Sequence, residues 1–152
     1  MKVLITGITG MVGSHLADFL LENTDWNVYG VCRWRSPLDN VTHLLDRVNK
    51  KDRVFFEYAD LNDEMSLITV VNKIKPDYVF HLAAQSYPLT SFTAPIDTLN
   101  TNILGTCRLL EAFRLAMRSS NTSINLSMFR RSRSVQIFPP IRSKRSRGMN
   151  QG

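Results

Sequence analysis

A glycine-rich run stands between the first apolar segment and the first amphipathic segment of this chain. Residues 2–6 read KVLIT, a short apolar run typical of a buried parallel strand. Residues 12–21 then carry apolar side chains at helical spacing. The TGITGMVG run that spans this junction contains Gly7, Gly10 and Gly13. A strand, a glycine loop and a helix in this order predict the start of a βαβ unit.

The glycine loop has the pattern of a pyrophosphate-binding turn. The first glycine permits a tight turn, a later one lets the backbone approach a phosphate, and the last allows close helix packing. The start of the following helix offers free N–H groups and a partial positive charge. Glycines that serve only as turn residues are the alternative. The residues predicted to bind the pyrophosphate are Thr6, Gly7, Gly10, Met11, Val12 and Gly13.

Two arginines follow the second predicted strand, residues 26–32. These are Arg33 and Arg35, and no acidic residue occurs until Asp39. A carboxylate here would bond the ribose hydroxyls and repel a 2′-phosphate, whereas a guanidinium binds that phosphate through two parallel hydrogen bonds. The sequence therefore predicts NADP as cofactor, with NAD less favoured. Two solvated surface arginines are the alternative.

Residues after the third and fourth predicted strands, 53–58 and 78–82, complete the predicted site. Asp60 is expected to accept from the adenine amino group and Leu61 to pack on the ring, unless Asp60 merely ends the strand. Small residues after the fourth strand would admit the middle of the cofactor, with the nicotinamide beyond. The predicted residues here are Leu82, Ala83, Ala84 and Gln85. His81 is expected to be a core histidine, and no metal ligands are predicted.

Strand and helix patterns alternate four times along residues 1–117. The helices are expected over residues 12–21, 41–48, 63–74 and 102–117, with Asp63 as an N-cap and a loop bounded by Pro88 and Pro95. Alternation with short connections predicts a parallel sheet with helices on both faces. The expected fold class is α/β, an incomplete Rossmann-type doubly wound sheet of four strands.

The distribution of charge changes sharply along the chain. Residues 1–111 hold all 13 acidic residues and 10 of the 19 basic ones, whereas residues 112–152 hold nine basic residues and no acidic one. This break, with Arg/Ser runs and no clear helical or strand period except at residues 135–138, predicts a boundary near residue 118. Residues 1–118 are expected to form the cofactor-binding domain, and residues 119–152 a disordered, low-complexity basic tail.

The cysteine content and apolar runs indicate the compartment. Cys32 and Cys107 are far apart in the sequence and lack metal-ligand spacing, so two reduced thiols are expected. No apolar run approaches the roughly 18–20 residues of a membrane span, and no leader pattern opens the chain. The sequence therefore predicts a cytoplasmic protein without a membrane partner.

Five runs together resemble the extended short-chain dehydrogenase/reductase family, also called the NAD-dependent epimerase/dehydratase family. They are TGITGMVGSHLADFL, CRWRS, the Asp60–Leu61 pair, HLAAQSYPLTSFTAP and NTNILGTCRLLEA. LAAQS and the two arginines are most similar to the GDP-mannose 4,6-dehydratases, with nucleotide-sugar 4-reductases and 4-epimerases as alternatives. The resemblance covers residues 1–117, which is less than half of a complete family member.

The resemblance implies a nucleotide-sugar substrate and conversion of GDP-mannose to GDP-4-keto-6-deoxymannose plus water. In the family, the catalytic base is the tyrosine of a YxxxK motif. No tyrosine of this chain has a lysine four positions on, so no catalytic residue is assigned and the chain alone is expected to be inactive. The helix from Asn102 resembles the family's dimerisation helix, which implies a homo-oligomer.

Three accounts of the basic tail remain open. In the first, the family pattern ends near Met117 because the coding sequence continues in a displaced frame. In the second, the tail binds nucleic acid through the basic residues, nine of which lie in residues 112–152, although only Phe129 and Phe138 supply aromatic rings and no reader motif is present. In the third, the chain binds NADP and has no further activity. The displaced frame is the favoured account.

Overall fold

A six-stranded sheet forms the centre of the protein. The computed structural model describes residues 1–120, 125–129 and 135–137, and only the backbone beyond residue 118. The strand order is β3-β2-β1-β4-β5-β6, in which neighbouring strands are parallel except for β5 and β6. The strands are β1 (Lys2–Thr6), β2 (Asn27–Cys32), β3 (Val54–Tyr58), β4 (Tyr78–His81), β5 (Asn125–Phe129) and β6 (Val135–Ile137).

Helical segments connect the strands. They are α1 (Met11–Asn23), a 3-10 helix (Asp39–Leu44), α2 (Leu45–Lys50), α3 (Glu64–Ile74), α4 (Pro88–Thr93), α5 (Pro95–Leu99), a π-helical segment (Asn100–Leu104) and α6 (Gly105–Ser120). Asp63 caps α3 as predicted, since its Oδ1 accepts from the Met65 N–H at 3.1 Å. The loop expected between Pro88 and Pro95 is wrong. Each proline instead stands in the first turn of a short helix, where its missing N–H leaves no helical bond unmade.

Two apolar clusters cover the two faces of the sheet. Leu4 of β1 belongs to the cluster that includes α3 and α6, with Leu67 and Leu109 among its buried members. Its neighbours Val3 and Ile5 point to the opposite face and belong to the cluster that includes α1 and the 3-10 helix. The alternation of β1 between two cores confirms the predicted doubly wound α/β sheet.

The sheet extends beyond the four strands expected from the sequence. Residues 125–129 and 135–137, expected within a disordered tail, form β5 beside β4 and β6 beside β5. Without β5, the outer edge of β4 would present unpaired N–H and C=O groups. Pairing with this edge therefore determines the strand conformation of residues 125–129 more than their composition does. The rest of the predicted tail, residues 121–124, 130–134 and 138–152, lies outside the described residues.

The connectivity of the sheet reverses at β1. The chain leaves β1 toward β2 and β3 on one side, and β4 pairs with β1 on the other. At such a reversal of strand order, a crevice forms at the carboxyl edge of the sheet, where ligands of open α/β sheets bind. Within the described residues, no helix has the length and apolar character needed to cross a bilayer.

Candidate functional site

A cleft of about 460 Å³ opens at the carboxyl edge of the sheet. This volume lies in the range of small-molecule sites. Ten of the fourteen residues predicted from the sequence line it: Thr6, Gly7, Gly10, Arg33, Asp60, Leu61, Leu82, Ala83, Ala84 and Gln85. The fold thus brings together residues that follow four different strands.

The glycine loop makes two close backbone contacts at the floor of the cleft. Gly7 has a φ of 74°, and a Cβ built on it would lie 2.8 Å from the Ala83 nitrogen. A Cβ on Gly13 would overlap the Gly7 carbonyl oxygen. The absence of both Cβ atoms therefore allows the loop after β1 to lie against the loop after β4 and against the first turn of α1.

The first turn of α1 stands behind the cleft. Met11, Val12 and Gly13 do not line the cleft, and the Met11 and Val12 side chains are exposed. Gly10 is the N-cap of α1, and as a glycine it has no side chain that could cap the first turn. What this turn offers a ligand is consequently its backbone N–H groups and the helix dipole.

The two arginines differ in position. Arg33 and Ser36 form a tight turn after β2, in which the Ser36 N–H donates to the Arg33 carbonyl at 2.9 Å and the Arg33 N–H to Ser36 Oγ at 3.2 Å. Arg33 lines the cleft, whereas Arg35 is exposed and lies outside the lining. Between the two arginines, the ring of Trp34 makes an edge contact with the ring of Tyr58, with 4.9 Å between the ring centres.

The segment after β3 is held by local bonds and by α6. Asp60 Oδ1 accepts from the Asn62 N–H at 2.9 Å, which fixes a turn at the cleft wall. Leu61 is 8% exposed and packs closely on Gly105. A Cβ built on Gly105 would lie 2.7 Å from the Leu61 Cβ. Most of the Leu61 side chain therefore packs in the core, and little of it remains to pack on a ring.

A directional chain of hydrogen bonds runs beneath the cleft through His81. Thr6 Oγ1 accepts from the N–H groups of Leu82 and Ala83, both at 3.2 Å, and so donates its own hydrogen to His81 Nδ1 at 2.7 Å. Thr106 donates to the Asn102 carbonyl at 2.7 Å and accepts from His81 Nε2 at 3.1 Å. These partners assign the neutral Nε2–H form of His81.

His81 is a core residue, as the sequence predicts. Its side chain is 6% exposed, and burial lowers its pKa to about 4. Protonation would place a second N–H against Thr6 Oγ1, whose lone pairs already accept two amides. The ring is therefore neutral near pH 7 and holds β1 to β4.

Asn102, which the sequence reasoning did not select, holds the backbone of Gln85. Its Oδ1 accepts from the Gln85 N–H at 2.7 Å, and its Nδ2 donates to the Gln85 carbonyl at 2.9 Å. Residues 100–102 are three consecutive polar residues, and nothing in that run indicates that Asn102 contacts Gln85. Other lining residues that were not selected are Thr9, Val31, Cys32, Ser36, Ala59, Asn62, Leu67, Ser86, Tyr87, Asp97 and Thr101.

Cys32 and Arg33 both line the cleft and differ in the chemistry that they can offer a ligand. Burial raises the pKa of the Cys32 thiol, which keeps it protonated and a poor nucleophile at neutral pH. In the described part of the chain, no three His, Cys, Asp or Glu side chains are grouped to hold a metal ion. Arg33 on the β2 side and the backbone amides of the glycine loop after β1 suit an elongated anionic ligand.

Comparison with known sequences places this site in context. A family model described as GDP-mannose 4,6 dehydratase matches residues 4–128. The GDP-mannose 4,6-dehydratase of Yersinia enterocolitica is 42% identical over 117 residues, which are 75% of this chain and 31% of the relative. The GDP-mannose 4,6 dehydratase of Drosophila melanogaster is 38% identical over 122 residues, 78% of this chain and 31% of the relative. This chain thus spans about a third of the length of these relatives.

Solved structures share the fold. The UDP-glucose 4-epimerase of Thermus thermophilus, solved as a complex with NAD, has a TM-score of 0.63 and 30% identity over 76% of this chain and 34% of its own. The UDP-glucose 4-epimerase of Thermotoga maritima, solved with UDP-glucose, has a TM-score of 0.62 and 33% identity over 74% of this chain and 33% of its own.

Proposed function

Because this chain belongs to the GDP-mannose 4,6-dehydratase family, we propose that it is the cofactor-binding part of a nucleotide-sugar dehydratase and binds NADP. The observation that carries the proposal is the placement of Arg33 in the same cleft as the Gly7–Ala83 contact. The glycine loop and the Arg33 guanidinium, which share one cleft, match the two charged parts of NADP, the pyrophosphate and the 2′-phosphate.

The sheet order supports one orientation of the cofactor. We place the pyrophosphate on the glycine loop above β1, against the uncapped first turn of α1. The adenosine half extends toward β2 and β3, where Arg33 faces the 2′-phosphate and Asp60 the adenine. The nicotinamide half extends toward β4, along Leu82, Ala83, Ala84 and Gln85. Arg35, outside the lining, is assigned a supporting charge only.

The bound nicotinamide supplies hydride acceptance and return. The residues of this chain hold the dinucleotide and keep its position fixed, through the backbone of the two loops and the His81 hydrogen bonds beneath them. No tyrosine here is followed by lysine four positions on. We therefore propose that the chain binds NADP without converting GDP-mannose, and that turnover needs the part of the relatives that this chain does not span.

Calorimetric titration of the chain with NADP and NAD tests the proposal. We expect NADP to bind more tightly than NAD. Arg33→Ala should weaken NADP binding by about 10- to 100-fold, the value of one charge-assisted phosphate contact, and leave NAD binding unchanged. Arg35→Ala should have a smaller effect, and Arg47→Ala, an exposed arginine on α2, should have none.

The outcomes separate the parts of the proposal. Absence of heat with either dinucleotide would remove the proposed function. An equal loss of NAD and NADP affinity in Arg33→Ala would remove only the assignment of Arg33 to the 2′-phosphate. Tighter binding of NAD would favour a 4-epimerase origin, since the related epimerase of Thermus thermophilus was solved with NAD.

A further inference from the structure

The side chain of Asn102 pairs with the backbone N–H and C=O of a single residue, Gln85, in the way that a residue of a neighbouring strand would. It accepts from the Gln85 N–H and donates to the Gln85 carbonyl, at 2.7 and 2.9 Å. The segment so held comes directly after Leu82–Ala84, which has no secondary structure of its own. Two hydrogen bonds from one rigid amide restrict the two peptide groups on either side of the Gln85 Cα.

The π-helical segment Asn100–Leu104 places Asn102 for this contact. In the same segment Thr101 accepts from Asn62 Nδ2 at 3.2 Å, and Asn100 Oδ1 accepts from Arg108 at 3.0 Å. Arg108 also donates to the Leu61 carbonyl at 3.3 Å. One short segment thus contacts the wall that follows β3 through Thr101 and the wall that follows β4 through Asn102, and π segments often occur at such functional positions.

The two walls serve different halves of an elongated ligand. Asp60 and Arg33 lie on the side of β2 and β3, whereas Gln85 lies on the side of β4, with the glycine loop between them. Loss of the Asn102 side chain would free Gln85 and leave the bonds of Asn62 and Arg108 in place. Its effect should therefore reach only the half of the ligand beside β4.

We propose that Asn102 is a positioning residue that fixes the Gln85 backbone and thereby sets affinity for the nicotinamide half of NADP. This inference rests on the proposed cofactor function. Asn102 contacts no part of the proposed ligand directly and acts through Gln85. A residue with a merely structural role would instead change the binding of every ligand fragment together with stability.

The test compares a whole ligand with its adenosine half. NADP and adenosine 2′,5′-bisphosphate are titrated into wild type, Asn102→Ala and Asn102→Asp. We expect Asn102→Ala to weaken NADP about tenfold and to change bisphosphate affinity less than twofold. Asn102→Asp keeps the acceptor for the Gln85 N–H and should recover part of the loss. Asn23→Ala, whose amide bonds only its own helix at Phe19, is the matched control.

Amide hydrogen exchange supplies a second readout without ligand. In Asn102→Ala the Gln85 amide should exchange faster, while the Leu82 amide, held by Thr6, should keep its protection. Equal weakening of NADP and the bisphosphate, or unchanged NADP affinity, overturns the inference while the proposed function stands. Failure of wild type to bind either ligand overturns the proposed function and the inference with it. If Asn102→Ala does not fold, Asn102→Asp carries the same comparison.

Discussion

Gly7 has a φ of 74° and lies where a Cβ would come within 2.8 Å of the Ala83 nitrogen and 2.9 Å of its Cα. Both neighbouring atoms belong to backbone, so neither can rotate away. Gly7→Ala should therefore lower the free energy of unfolding by about 2–4 kcal/mol, from backbone strain and overpacking together. Urea denaturation monitored by circular dichroism measures this loss.

Gly10→Ala is the matched control for this change. Gly10 has an ordinary φ of −78°, and a Cβ there would meet only the Gly7 oxygen at 3.3 Å. The expected loss is below about 1 kcal/mol. Equal losses for the two variants would contradict the assignment of the close loop contact to Gly7.

The burial of His81 links stability to pH. Its pKa is about 4 in the folded protein, below the ordinary value of 6.5, because burial disfavours the charged ring. Above pH 6.5 the His81 ring is neutral in both the folded and the unfolded protein, so protonation of His81 does not lower the free energy of unfolding there. As pH falls from 6.5 to 4 the unfolded chain takes up a proton that the folded protein does not, so the free energy of unfolding falls by up to about 3 kcal/mol.

Denaturant titrations at pH 7, 6, 5 and 4.5 check this dependence. His81→Gln should reduce the slope, because glutamine has no charge to gain, whereas His15→Gln, on the exposed face of α1, should leave it as in wild type. A slope that persists in His81→Gln would show that other groups carry it.

The packing of α6 on α3 illustrates how one helix face stabilises the fold. Leu109 is 1% exposed within the cluster that includes Leu67 and Val71, whereas the next residue, Leu110, is 38% exposed. Leu109→Ala should cost about 3 kcal/mol through lost burial and a cavity, and Leu110→Ala less than about 1 kcal/mol. Thermal unfolding of the pair measures the difference, and equal effects would contradict this burial pattern.

Elements with strong local signals were predictable from the sequence. β1 follows from its apolar run, and α3 from its periodicity and the Asp63 cap, which the structure confirms. β5 was not predicted, because its register comes from pairing with β4 and not from its own composition. β6, which pairs with β5, coincides with the one periodic stretch of the tail, residues 135–138, although the tail as a whole was expected to be disordered. The α4 and α5 helices were missed because proline was read as a loop boundary and not as a first-turn residue.

The residues of the candidate site also differ in how far the sequence could predict them. The glycine loop and Arg33 could be found because their spacing along the chain reflects the βαβ unit itself. Asn102 could not be found, since its two bonds to Gln85 depend on a π-helical turn that no periodicity announces. Arg35 has the same composition signal as Arg33, but the turn made by Ser36 leaves it outside the cleft.

An apolar stripe is exposed on α5 and the π-helical segment. Ile96, Leu99 and Ile103 recur at helical spacing and are 76%, 51% and 55% exposed. We propose association of this chain through this stripe and the helix that follows from Asn102, because apolar patches of this kind are removed from water by contact. Sedimentation velocity should show a sedimentation coefficient that increases with protein concentration.

Ile103→Lys should shift this equilibrium toward the smaller species. Phe19→Lys is the control, since Phe19 is 58% exposed on α1, at the opposite face of the sheet. A single species at every concentration in wild type would contradict the proposal, as would equal effects of the two lysine variants.

The hydrogens in the Thr6–His81–Thr106 chain all point one way, from the end of β1 toward the Asn102 carbonyl. Thr6 Oγ1 accepts from Leu82 and Ala83, and the Leu82 N–H is shared with the Thr6 carbonyl at 3.2 Å. The Thr6 hydroxyl hydrogen is therefore directed to His81, and the ring N–H to Thr106. Removal of one of these side chains should loosen the β4 loop only in part, because the Leu82 bond to the Thr6 carbonyl and the Asn102 bonds to Gln85 would remain.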